Sequence, residues 1–428
     1  MFGRRSSSLF VLAIVASSVA LVVTGSGEPA RPAEASAGAP DGFVVPIEPR
    51  RVYDSRDGSS ALASSSAGTA RSVDVFGPLS AGADVIAVFA NVTITGPSSD
   101  GYLATNPTGR ERASASTVNF ARGETVANAT VLARGSSDLV DFVVTTPGTA
   151  GSAHLIVDVF ALITSDPSGA GRIVTHDPGR VFDSRTTTSF GSAEARSVPI
   201  VNVPLSGSTT RVPDDGSVVA VAVNITAVND LPGSRDTWIG TSRGTSVLNA
   251  AAGDIASNFA LVPLRDDGTI ELFNASGSTH VIVDVWGHVT RSGVAPGAPG
   301  RLVILDVPFR AVDSRPTKLG PGRAEPWDFA DFETSLAGGR VGFGSAGAIV
   351  GNLTATGLSR RYAGLPASTY LTVHPTGSMR PMTSNLNLDE RQTRATLGIF
   401  RLGGDSLTVY NDDGSVDYLI DVVAVVAD

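Results

Sequence analysis

Three constellations of two arginines about one aspartate are the residues best placed to do chemistry. They are Arg51, Asp54 and Arg56 in Pro49-Arg-Arg51-Val-Tyr-Asp54-Ser55-Arg56, then Arg180, Asp183 and Arg185 in Pro178-Gly-Arg180-Val-Phe-Asp183-Ser184-Arg185, then Arg310, Asp313 and Arg315 in Pro308-Phe-Arg310-Ala-Val-Asp313-Ser314-Arg315. Guanidinium forks beside a carboxylate can satisfy it and bond strand-end carbonyls, which makes a structural staple. The same groups left unpaired in an open pocket would make a ligand site. One more acid per copy, Asp158, Asp284 or Asp421, interrupts an apolar last strand. A carboxylate buried there without a partner would cost on the order of several kcal/mol. The expectation is therefore a staple in which at least one signature arginine per copy pairs with the signature or closing-strand aspartate. In an extended strand Asp54 and Arg56 should share one face and Arg51 the other.

Other positions recur in the same order. Asn91-Val-Thr93, Asn224-Ile-Thr226 and Asn352-Leu-Thr354 match a glycosylation sequon but read as asparagines ending buried strands and bonding backbone. Tyr102, Trp238 and Tyr370 lead the next strands; they are candidate sugar-stacking platforms if they face solvent and core residues if they do not. Ser116/Asn119, Ser246/Asn249 and Ser384/Asn387 follow. His280 and Asp284 would lie roughly 13 Å apart along a strand, too far to share an ion. The five histidines have no common partner across copies, there is no cysteine, and no glycine-rich phosphate loop precedes a helix. No catalytic residue, metal or cofactor is expected, and the chain does not read as an enzyme.

The elements that must position these residues repeat with them. Arg51, Arg180 and Arg310 are 129 and 130 residues apart, the size of one domain rather than of a solenoid unit. The boundaries are read as a signal peptide at 1–37, a lead-in at 38–42, β-domains at 43–163, 172–289 and 301–428, and linkers rich in Gly, Pro and Ser at 164–171 and 290–300. Within each copy, short runs of Val, Ile, Thr and Phe between turn residues predict an all-β fold of three tandem sandwich-like domains, with a jelly roll or barrel as the alternative. The runs ending at Leu264, Phe273 and Trp286 predict a three-strand meander, its first turn at Asp266-Asp267-Gly268.

The signal-peptide reading rests on Arg4 and Arg5, the apolar run Leu9 to Val23 and A-x-A options ending at Ala35 and Ala37. Without cysteine, no disulfide can stabilise the domains, so each needs an apolar core. A formal net charge of −9 argues against nucleic acid and anionic lipid as partners.

With Tyr370-Leu-Thr-Val-His-Pro-Thr-Gly377, Pro381-Met-Thr-Ser-Asn-Leu-Asn387 and Gly277-Ser-Thr-His-Val-Ile-Val-Asp-Val-Trp-Gly287, the chain resembles a repeat domain common in secreted actinobacterial proteins. The resemblance covers nearly everything after the signal segment, and it implies an accessory repeat that accompanies secreted hydrolases and cell-surface proteins. The third copy departs from it, with Arg391 where the others have Gly123 and Gly253, and Asp417 where they have His154 and His280.

The function expected from the sequence is a non-catalytic structural or adhesive role, secreted or at the cell surface. Its partners would be cell-wall polysaccharide or other envelope proteins, with no nucleic acid and no membrane span after cleavage. The alternative is a carbohydrate-binding protein with one shallow site per domain.

Overall fold

The computed structural model describes residues 41–427, apart from 65–69, 111–114, 136–137, 149–150, 207–209, 292–298, 337–338, 344–345 and 362–366. The expected signal peptide and most of the lead-in lie outside the described residues. The chain is all-β, with two three-residue 3-10 turns, Gly77–Leu79 and Ser184–Thr186, among the described residues. No described helix is long and apolar enough to cross a membrane.

Two antiparallel four-strand orders occur three times each. The first runs opening strand, closing strand, central strand, inner edge strand. In the first copy these are Phe43–Asp54, Ser152–Thr164, Val85–Thr95 and Val126–Ala133. In the second they are Ile173–Asp183, His280–Thr290, Val218–Val228 and Ile255–Pro263, and in the third Arg301–Asp313, Ser415–Ala427, Ala346–Ser359 and Arg394–Arg401. The second order contains the aromatic strands Gly101–Pro107, Thr237–Gly240 and Ser368–Pro375, each flanked by the short strand that carries the Ser-x-x-Asn asparagine. The opening and closing strands of each copy are direct neighbours.

The expected meander does not form. Ile255–Pro263 pairs with the central strand, Thr269–Asn274 belongs to the other sheet, and His280–Thr290 returns to the first. The Asp-Gly turn is present, with Gly268 N–H bonding Arg265 O at 2.9 Å, but the chain changes sheets there. Alternation of side chains reports extended backbone and not which strand is the neighbour.

Central strands are apolar almost throughout because both their faces are buried. In the first copy Val88, Ala90, Val92 and Ile94 enter a core drawn from both sheets of that copy, while Ala87 and Phe89 enter a second core built from all three copies. Aromatic rings run through that shared core: Phe89 to Phe259 at 6.1 Å, Phe259 to Trp286 at 6.0 Å and Trp286 to Phe400 at 5.9 Å between centroids. The described residues accordingly belong to one compact unit.

Glycines in the linker stretches serve close approach. Gly171 N–H bonds Val44 O at 2.7 Å, and a Cβ on Gly171 would lie 2.0 Å from Thr290 O. Gly300 has φ +90° and accepts from Ile173 N–H at 2.8 Å. Gly42 bonds Leu302 in both directions at 2.7 Å, so the first strands of all three copies meet at one end.

Candidate functional site between neighbouring copies

The repeated residues fall in one row on the face of each first sheet that is turned toward the other copies. Arg51, Asp158 and Asn91 are cross-strand neighbours, as are Arg180, Asp284 and Asn224, and Arg310, Asp421 and Asn352. Each closing-strand aspartate is essentially buried, at 1%, 0% and 1% exposure, and each receives a two-pronged guanidinium. Arg51 Nε and Nη2 reach Asp158 at 2.9 and 3.1 Å, Arg180 reaches Asp284 at 2.9 and 3.3 Å, and Arg310 reaches Asp421 at 2.8 and 3.0 Å. Burial pushes the Asp158 and Asp284 carboxyls up, against the pull of Arg51 and Arg180.

The second arginine serves the signature aspartate. Arg56 Nε lies 2.9 Å from Asp54, Arg185 Nε 2.9 Å from Asp183 and Arg315 Nε 2.8 Å from Asp313. Hydrogen bonds from Arg56 and Arg315 hold Asp54 and Asp313 below the usual carboxylate range; for Asp183 burial opposes the shift and Arg185 outweighs it. The strict alternation expected for the signature fails. A register shift between Arg51 and Tyr53, repeated at Arg180/Phe182 and Arg310/Val312, brings the first arginine onto the side of the signature aspartate, so Arg180 also lies 3.1 Å from Asp183. A bulge adds one residue and reverses the facing of all that follow.

Sequence reasoning gave no role to the signature serine. Ser55, Ser184 and Ser314 are buried and accept the closing-strand N–H of Leu155, Val281 and Tyr418 at 3.0, 2.8 and 2.8 Å. His154 and His280 sit on the first two serines at 2.9 and 3.1 Å, which gives these histidines the partner that their spacing hid.

The Asn-x-Thr asparagines lie mid-strand rather than at strand ends, and they reach the next copy. Asn91 Nδ2 donates to Ser246 O at 2.7 Å, Asn224 to Ser384 O at 2.9 Å and Asn352 to Ser116 O at 2.7 Å, a closed cycle from the first copy to the second, the third and back. A second set crosses the other way from the inner edge strands. Asn258 Nδ2 donates to Asn91 Oδ1 and its Oδ1 accepts from Ala129 N–H; Asn128 does the same toward Asn352 and Leu397 N–H. The third position holds Thr396, and the buried Asn224 Oδ1 that it faces by analogy has no partner among the described residues. Thr396→Asn should complete the set and raise stability by about 1 kcal/mol in denaturant unfolding. No gain would mean the site cannot accept the amide.

Between the first and second copies and between the second and third, this docking sets the signature of one copy opposite the aromatic strand of the next. A cleft of about 540 Å³ between the first and second copies is lined by Arg51, Arg56, Thr93, Trp238, Asn249 and Asp254. Its counterpart of about 310 Å³ between the second and third is lined by Arg180, Arg185, Thr226, Tyr370, Arg380 and Asn387. Tyr102 borders a cleft of about 570 Å³ with Asn119 and the third copy's Arg391 and Arg394. Tyr102 is 39% exposed, and Trp238 and Tyr370 are half-buried. Arg391 carries φ +70° where Gly123 and Gly253 have +75° and +92°, which explains glycine in the other two copies.

No protein-family model and no curated protein matches the chain. Among solved structures, "Life in the extremes: atomic structure of Sulfolobus Turreted Icosahedral Virus" aligns at 9% identity and TM-score 0.16, and "The Triple Jelly Roll Fold and Turret Assembly in an Archaeal Virus" at 10% and 0.17. Each alignment covers 90% of this chain and 91% of the other. Similarity at that level carries no functional reading.

Asp177 reaches Arg401 of the third copy at 2.8 Å, and beside it His176 packs against His288 with 5.8 Å between rings. Both ring nitrogens of His176 are buried without a hydrogen-bond partner among the described residues, and burial, with His288 alongside, lowers its pKa to about 4. The unfolded chain takes up the proton first, so His176 stabilises the fold fully above about 6.5, and this contribution falls away between there and about 4. Relative to His176→Leu, the protein should lose up to about 3 kcal/mol over that window. Parallel pH profiles for the two would contradict a buried neutral imidazole.

Proposed function

We propose that the protein is an exported, non-catalytic structural or adhesive module of three tandem sandwich-like β copies. The observation that supports this most is that the groups best suited to acid–base chemistry are committed to one another. Each buried aspartate holds an arginine fork, and each signature aspartate holds another. Such pairs fix strand position and tie up the six carboxylates that could otherwise act as bases. Fractionation of cells producing the full chain tests the reading. Recovery in the envelope or medium is expected, and recovery in the cytoplasm would overturn it.

A second reading, carbohydrate binding, is favoured by the half-buried Trp238 and Tyr370 in clefts that also present Asn249 and Asn387. Aromatic faces beside amide and hydroxyl groups suit pyranose rings. On this reading each site is shared by two copies, not contained in one.

A further inference from the structure

The clefts differ in charge, and the difference bears on what they would hold. The cleft between the first and second copies is lined by Glu124, Asp236 and Asp254 besides Arg51 and Arg56. The lining of the cleft between the second and third copies contains Arg180, Arg185 and Arg380 and no carboxylate. Arg180 and Arg185 are balanced by Asp284 and Asp183. Arg380 has no acid partner among the described residues; it lies 3.7 Å over the Tyr410 ring and 3.5 Å from the Tyr370 hydroxyl. Asp412, bonded by the Tyr410 hydroxyl at 3.2 Å, is an acid on that side and does not line the cleft. In a protein of net charge −9, Arg380 thus lies at the edge of a cleft beside an aromatic face with no acid partner among the described residues. The cleft also contains Thr226, 3% exposed, whose hydroxyl has no partner among the described residues; Thr93 is in the same state in the first cleft.

We propose that the cleft between the second and third copies binds an acidic saccharide, with the sugar carboxylate at Arg380, a ring face on Tyr370 and ring hydroxyls at Asn387 and Thr226. This rests on the carbohydrate reading above and adds the ligand class and the cleft. Arginine presents a planar fork that fits a carboxylate, and a cation seated over an aromatic ring is held in place before the ligand arrives. The neutral hydroxyls of the same ring are met by the amide of Asn387, which is bonded to Ser384 Oγ at 3.3 Å and so fixed in orientation.

The test is calorimetric titration of the full chain with tetragalacturonate, neutral cellotetraose and inorganic tripolyphosphate. Tetragalacturonate should bind at least tenfold more tightly than cellotetraose. Arg380→Gln should remove that preference, and Tyr370→Ala should weaken both sugars. Thr226→Val removes a hydroxyl that has no partner among the described residues, so it should keep the melting temperature and still weaken binding. Equal affinity for the two sugars, or an unchanged preference in Arg380→Gln, overturns the acidic assignment while leaving carbohydrate binding in place. Binding of neither sugar overturns both. Tripolyphosphate binding as tight as uronate and indifferent to Tyr370→Ala would show a general anion patch and overturn the proposal.

Discussion

Arg180→Ala is expected to destabilise the protein by about 3 to 5 kcal/mol, because it leaves the fully buried Asp284 carboxylate without its fork. Burial already raises the Asp284 pKa, so the orphaned acid would answer by taking up a proton, and the loss should shrink at low pH. Arg185→Ala touches only the exposed half of the signature. Arg185 is 47% exposed on its side chain and its partner Asp183 is already reached by Arg180, so about 1 kcal/mol or less is expected. Denaturant midpoints for the two variants check the ranking. Equal losses would mean that the two arginines share one role.

The second large effect should come from the amide lattice between copies. Asn258→Ala deprives Ala129 N–H, Asn91 Oδ1 and Val247 O of a partner in one step, at 2.7 to 3.0 Å in the native protein. Unpaired buried groups cost about 1 to 3 kcal/mol each, partly offset by relaxation, so a total of about 3 to 5 kcal/mol is expected from urea unfolding. The loss should be felt by the first and second copies together. A loss below about 1 kcal/mol would show that water replaces the amide without penalty.

Much of this was legible in the sequence, and the reason lies in particular residues. The arginine signature and the apolar-embedded aspartates announce a staple because a lone buried carboxylate is too costly to repeat three times. Short runs of Val and Ile between turns announce strands. The alternation rule misplaced Arg51 because a bulge of one residue carries no composition signal, and the meander was wrong because extended backbone does not name its neighbour. The Asn-x-Thr asparagines were read as local hydrogen-bonders, since one copy alone offers no sign that Ser246 O or Ser384 O stands opposite. Their signal was present in a different form: an asparagine inside an otherwise apolar strand in every copy needs a buried partner, and in these strands both faces are covered. Asn258 was passed over for the same reason, with Thr396 breaking the repeat. Arg380 has no counterpart in sequence logic, because the absence of an acid beside it is visible only in the folded cleft.

Scanning calorimetry of the full chain measures most directly whether the repeated row docks the copies into one body. The copies share an aromatic core and two sets of crossing amides, so one transition with equal calorimetric and van't Hoff enthalpies is expected, and Asn258→Ala should move it as a whole. Three separable transitions, only one of them shifted by Asn258→Ala, would contradict the account and return the clefts to the status of gaps between independent domains.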